Sequence, residues 1–230
     1  MIVTGLVAEK ILNFYNQLLK EKIQLPEGVG LLNPFHYEEV KEIVRNFYTK
    51  YYSDTNNRIL LLGINPGRFG AGITGIPFTD PVALEVFCGI KNSFPKKRET
   101  SSVFIYDMIE QCGGVVNFYS KFFVGAVSPL GFIYQNKNVN YYEQGIYPYV
   151  EDFIVKYLKI QLEISGIDRI VFSLGQGKNL KFLTAINKKY KFFKQIIALP
   201  HPRYIMQYRY KSRKEMISVY CNTLLKEFKN

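Results

Sequence analysis

The chain has no tryptophan, only two histidines and only three cysteines in 230 residues. Cys88, Cys112 and Cys221 are odd in number and show no Cys-x-x-Cys spacing, which argues against a disulfide framework and against a zinc or iron–sulfur centre. They are expected to be reduced structural or surface thiols. No run approaches the ~18 consecutive apolar residues that a membrane helix requires. The segment Met1-Ile2-Val3-Thr4-Gly5 lacks the basic region and cleavage site of a signal peptide, so a cytoplasmic or nucleoid-associated location is expected. Internal repeats, low-complexity tracts and long linkers are also missing, and residues 1–230 read as one domain.

What is present is positive charge. Thirty lysines and arginines stand against nineteen acidic residues, for a net charge of +11. Such a field draws polyanions and speeds encounter with them. Lys96-Lys97-Arg98 reads equally well as a solubility coat. The cluster Arg203, Arg209, Lys211, Arg213 and Lys214 differs because Tyr204, Tyr208 and Tyr210 are interleaved with it. Basic side chains meet phosphates, and aromatic rings stack on bases or wedge between them. A nucleic acid is therefore the expected partner, and a membrane is not.

Hydrophobic periodicity outlines the fold. Apolar residues at helical spacing mark helices over 5–20 and 36–51, with further helices over 101–111, 149–165, 178–187 and 212–228. Between them lie aliphatic runs over 59–62, 120–127, 168–174 and 193–199, as expected for strands buried on both faces. The alternation predicts a three-layer α/β/α sandwich around a four-stranded, mainly parallel sheet.

Two loops at the ends of such strands carry the chemistry. Gly63-Ile64-Asn65-Pro66-Gly67-Arg68-Phe69-Gly70 leaves the first strand and continues through Thr74-Gly75-Ile76-Pro77-Phe78. His201-Pro202-Arg203 leaves the last. Ligands of open α/β sheets bind at strand ends of this kind. Asn-Pro-Gly is by itself a common turn signal. The glycine density that follows also allows close backbone approach to a ligand. His201 is a candidate donor to a developing anion, with Asn65 and Ser128 at neighbouring strand ends. His36, which follows Asn33-Pro34-Phe35, is read as structural.

These segments, together with Phe123-Val124-Gly125-Ala126-Val127-Ser128-Pro129-Leu130, resemble the single-strand-selective monofunctional uracil-DNA glycosylases, in a bacterial branch of that family. The resemblance runs in order from about residue 58 to the end, and the missing cysteine cluster sets it apart from iron–sulfur branches of the wider superfamily. It implies a monomeric enzyme that hydrolyses the N-glycosidic bond of uracil or another deaminated base in DNA, with no metal and no cofactor. Asn65 matches the residue that positions the attacking water. His201 matches the histidine that hydrogen-bonds the base oxygen, and Phe78 the ring on which the flipped base stacks. Ile64 and Gly67 match pocket-lining backbone. Arg203, Tyr204 and Arg209 fall in the stretch that matches the DNA-docking wedge.

The sequence departs from that family at one position. The asparagine that reads uracil falls at Ala126 or its neighbour Gly125, so an amide is missing there. Ser128 or backbone groups stand in as base-binding candidates, and xanthine or hypoxanthine come into range. Two other readings fit the residues. One is a catalytically silent nucleic-acid-binding module on the same fold, and the other a hydrolase of a free nucleoside or nucleotide.

Overall fold

The computed structural model describes residues 5–229, so Met1–Thr4, part of the segment searched for a signal peptide, lies outside the described residues. In chain order the strands are β1 (Val29–Leu32), β2 (Ile59–Gly63), β3 (Phe122–Ala126), β4 (Gly131–Tyr134), β5 (Lys137–Val139), β6 (Ile170–Leu174) and β7 (Gln195–Leu199). The helices are α1 (Val7–Leu19), α2 (Glu38–Tyr52), α3 (Ala71–Thr74), α4 (Pro81–Val86), α5 (Thr100–Gln111) and α6 (Gly114–Tyr119). They continue as α7 (Tyr147–Ser165), α8 (Lys178–Tyr190), α9 (Pro202–Tyr208) and α10 (Arg213–Lys229).

β2, β3, β6 and β7 form a four-stranded sheet in the order β3-β2-β6-β7, and every pairing is parallel. β2, β3 and β6 are buried at every residue, as their unbroken apolar runs require. The parallel registers Gly63↔Ala126 and Leu174↔Leu199 bring the C-terminal strand ends, and the loops that follow them, to one side. With no tryptophan available, tyrosine and phenylalanine fill much of the core. Tyr48, Tyr52 and Tyr119 are almost fully buried, and the Tyr15 and Tyr48 hydroxyls pair at 2.7 Å.

Several expectations are corrected. The run over 120–127 becomes strand only from Phe122, because the amides of Ser120 and Lys121 still bond back to Val116 and Phe118 in α6. A second, antiparallel sheet in the order β1-β4-β5 was not anticipated. Its strands have three or four residues, too short to show an alternating pattern. Two cysteines expected to be reduced are instead joined, Cys112 to Cys221, with Cα atoms 5.6 Å apart. Residues 109 apart in sequence meet because α10 packs along α5, which neither parity nor local spacing can reveal. Cys88 remains a buried free thiol.

Candidate active site

The loop leaving β2 is gripped by the small sheet. The Asn65 side chain donates through Nδ2 to the carbonyls of Pro66 and Val139, both at 3.3 Å. Its Oδ1 accepts from the Tyr141 amide at 3.1 Å. Both amide protons are thereby committed and one oxygen lone pair stays open. Asn138 accepts from the Arg68 amide at 3.1 Å and holds the next turn. Gly131 is required at this junction, because a Cβ there would collide with the Pro66 carbonyl oxygen.

Phe78 closes the same loop in a left-handed backbone conformation, φ 53°, which is costly for an aromatic residue. The buried Thr74 hydroxyl braces it by donating to the Thr79 carbonyl at 2.6 Å. The Phe78 ring lies against Gly63, where a Cβ would approach it to 2.8 Å. The His201 ring is its neighbour, 5.9 Å away between centroids and tilted by 48°.

His201 starts α9 as its N-cap, and Nδ1 accepts from the Arg203 amide at 3.1 Å. Loss of solvation, reinforced by the nearby Arg203 charge, pulls its pKa down to about 4. The imidazole is therefore neutral near pH 7. Since Nδ1 is an acceptor, the proton sits on Nε2 and makes that nitrogen a donor. The Tyr220 hydroxyl, from α10, donates to the Pro200 carbonyl and ties the strand end behind His201 to the C-terminal helix.

These groups meet in one cavity of about 330 Å³. Ile64, Asn65, Gly67, Phe78, Ala126, His201, Arg203 and Tyr204 all line it. Ser128 does not. It is fully buried, its hydroxyl donates to the Leu130 carbonyl at 2.8 Å, and it is removed as a reader of a base edge. Arg209 lies outside the cavity on the exposed surface beyond α9, and His36 is exposed away from it. Arg213 is ion-paired with Asp107 and so leaves the free basic surface expected around His201.

Sequence reading missed Gln161 and Glu99, which also line the cavity. Gln161 projects from α7 onto the edge strand β3. It accepts from the Ala126 amide at 3.1 Å and donates to the Ala126 carbonyl at 3.0 Å. A second donation reaches the Tyr157 carbonyl at 3.1 Å. A Cβ on Gly125 would fall on Gln161 Oε1, so a side chain at 125 would displace Gln161 from its bonds to Ala126, whereas Ala126 itself lines the cavity. A glycine inside an otherwise apolar strand was the available signal, since it marks close approach by another group. Phe14, Tyr15 and Phe35 also line the cavity.

The sequence pattern of the uracil DNA glycosylase superfamily matches residues 49–225, more than half of the chain. The chain belongs to that superfamily. The solved structure of wild-type Pedobacter heparinus SMUG2 is 43% identical, superposes with a TM-score of 0.93, and the match covers 100% of both chains. The single-strand selective monofunctional uracil-DNA glycosylase of Rattus norvegicus is 38% identical over 73 residues, 31% of this chain and 25% of that protein. Its Mus musculus counterpart is 37% identical over 70 residues, 30% and 24%. The matched segment thus spans about a quarter of these two curated relatives. Within the superfamily the chain sits in the single-strand-selective branch, alongside the Pedobacter protein.

Proposed function

We propose that this protein removes uracil or another deaminated base, xanthine or hypoxanthine, from DNA by hydrolysing the bond between base and sugar. The observation that carries the reading is the neutral His201, whose Nδ1 acceptor bond leaves the proton on Nε2 of a ring that lines the same cavity as Asn65 and Phe78. As the C1′–N bond breaks, its electron pair moves onto the ring and charge collects on the base oxygen. A fixed donor at that oxygen lowers the barrier, by about 3–4 kcal/mol if oxyanion sites are a guide.

Asn65 orients the attacking water through its open lone pair, and Phe78 offers a stacking face to the flipped base. Flipping itself costs a few kcal/mol, least for a base already unpaired. Arg203 and Tyr204, at the cavity mouth, hold the DNA as a monomeric protein would, with phosphate contacts and an aromatic wedge. Location in the cytoplasm follows from this substrate and is part of the same proposal. No helix among the described residues is long and apolar enough to cross a membrane.

The finer choice of base rests on residue 126. With alanine there, position 126 offers no side-chain amide to the base edge, and a purine base such as xanthine or hypoxanthine joins uracil as a candidate. The test is incubation with oligonucleotides carrying uracil, xanthine or hypoxanthine, single-stranded and duplex, followed by alkaline cleavage at abasic sites. Tight binding without cleavage of any of them would leave the silent binding module.

A further inference from the structure

The water that attacks C1′ must lose a proton, and an asparagine amide cannot accept it. Glu99 can. It occupies the N-cap position of α5 but makes no capping hydrogen bond with its side chain. Asp80 pins its backbone instead, accepting from the Glu99 amide through Oδ2 at 2.8 Å while its Oδ1 caps α4 through the Ala83 amide at 2.8 Å. The Glu99 carboxyl turns into the cavity and lies over the glycine loop. A Cβ at Gly70 would land on its Oε2, and one at Gly67 would come within 3.6 Å of Oε1. Gly67 is two residues from Asn65. Two glycines of this loop thus have a specific neighbour, the Glu99 carboxyl, which shares the cavity lining with Asn65.

We propose that Glu99 is the proton acceptor for the nucleophilic water, resting on the glycosylase reading of the site. In the step, the water oxygen forms a bond to C1′ and one of its O–H bonds breaks, the proton passing to a Glu99 carboxylate oxygen. The C1′–N bond breaks with its electron pair going to the base, which later takes a proton from solvent or from Glu99. The same negative charge attracts the cationic sugar as it develops.

Burial, together with the Asp80 carboxylate and opposed by Arg203, raises the Glu99 pKa to about 7. That is the range in which a general base combines availability with strength. The other charges nearby are turned elsewhere. Arg68 and Lys97 lie over the Phe69 ring, at 5.2 and 3.9 Å from its centroid, and His201 is neutral.

The experiment is single-turnover base release from uracil- and xanthine-containing single-stranded oligonucleotides between about pH 5 and pH 9, for wild type and Glu99→Gln. Wild-type release is expected to rise about tenfold per pH unit below about 7 and to level off above it. Glu99→Gln is expected to be slower by about 10²–10⁴-fold and to lose that limb, the range for removal of a general base. DNA affinity should hold or tighten, because a negative charge leaves the cleft. A Gln variant with the wild-type profile, or a wild-type rate flat through pH 7, overturns the proposal. If Glu99→Gln does not fold, the wild-type profile and its displacement in Glu99→Asp decide the matter. Wild type that releases neither base overturns the glycosylase reading and this proposal together.

Discussion

The Gln161 amide closes on both backbone groups of Ala126, accepting from its N–H at 3.1 Å and donating to its carbonyl at 3.0 Å. β3 is an edge strand, and at its last residue no further strand is available to satisfy those groups on the outer side. A side chain borrowed from α7 does so. Gln161→Leu would leave two buried polar groups unpaired, at about 1–3 kcal/mol each. Urea unfolding should show a loss of that order, and base release should fall with it. An unchanged midpoint would mean that the edge rehydrates and the clamp is dispensable.

Ala126→Asn should move preference toward uracil. Position 125 is closed by Gln161, whereas 126 opens on the cavity, so an amide added there meets the base edge. The check is the ratio of uracil to xanthine release from matched oligonucleotides. A ratio that does not move would place base selection elsewhere in the cavity.

Asn65→Ala and His201→Ala should each slow base release by about two to three orders of magnitude while DNA affinity barely changes. For His201 a spectroscopic check is available as well. Nitrogen NMR of the imidazole should show a neutral, Nε2-protonated ring that becomes charged only as pH falls toward about 4. In the unfolded chain the ring protonates near its ordinary 6.5, so its burial costs stability progressively as pH falls from about 6.5 to about 4. A ring that titrates at 6.5 in the folded protein would remove the neutral-donor argument.

Arg203→Ala and Tyr204→Ala should mainly weaken DNA binding and flipping. Both are exposed at the cavity mouth, and the Tyr204 ring lies 5.5 Å from that of Tyr208. Loss of a phosphate contact should flatten the salt dependence of affinity by about one unit of slope. A wedge fills a hole that only a duplex leaves, so Tyr204→Ala should harm duplex release more than single-strand release. Duplex binding, salt slope and release all unaltered would reduce this segment to surface decoration.

The sheet and its flanking helices were legible in the sequence because long buried runs and 3.6-residue periodicity are local signals. Asn65, Phe78 and His201 were legible as candidates because each sits in a loop after such a run. The short sheet that holds Asn65 was not, since three-residue strands such as Lys137-Asn138-Val139 carry almost no pattern of their own. Gln161 and Glu99 were missed for a different reason. Each lies on or beside an ordinary helix and matters only through a glycine, Gly125 or Gly70, that is distant in sequence. Ser128 misled because position at a strand end does not reveal which way a hydroxyl points.

The hairpin that fixes Asn65 turns at Gln135 and Asn136, both exposed and both in left-handed backbone, φ 46° and 57°. That is the twist a two-residue hairpin turn needs. The reacting end of the loop after β2 is thus set by a bend some seventy residues downstream that never touches the cavity. The geometry of the centre therefore depends on contacts between residues more than seventy positions apart. It also means that this enzyme has an inconspicuous weak point. A β-branched residue in the bend, harmless to the main core, would slacken the grip on the asparagine and leave a chain that folds and binds yet turns over poorly.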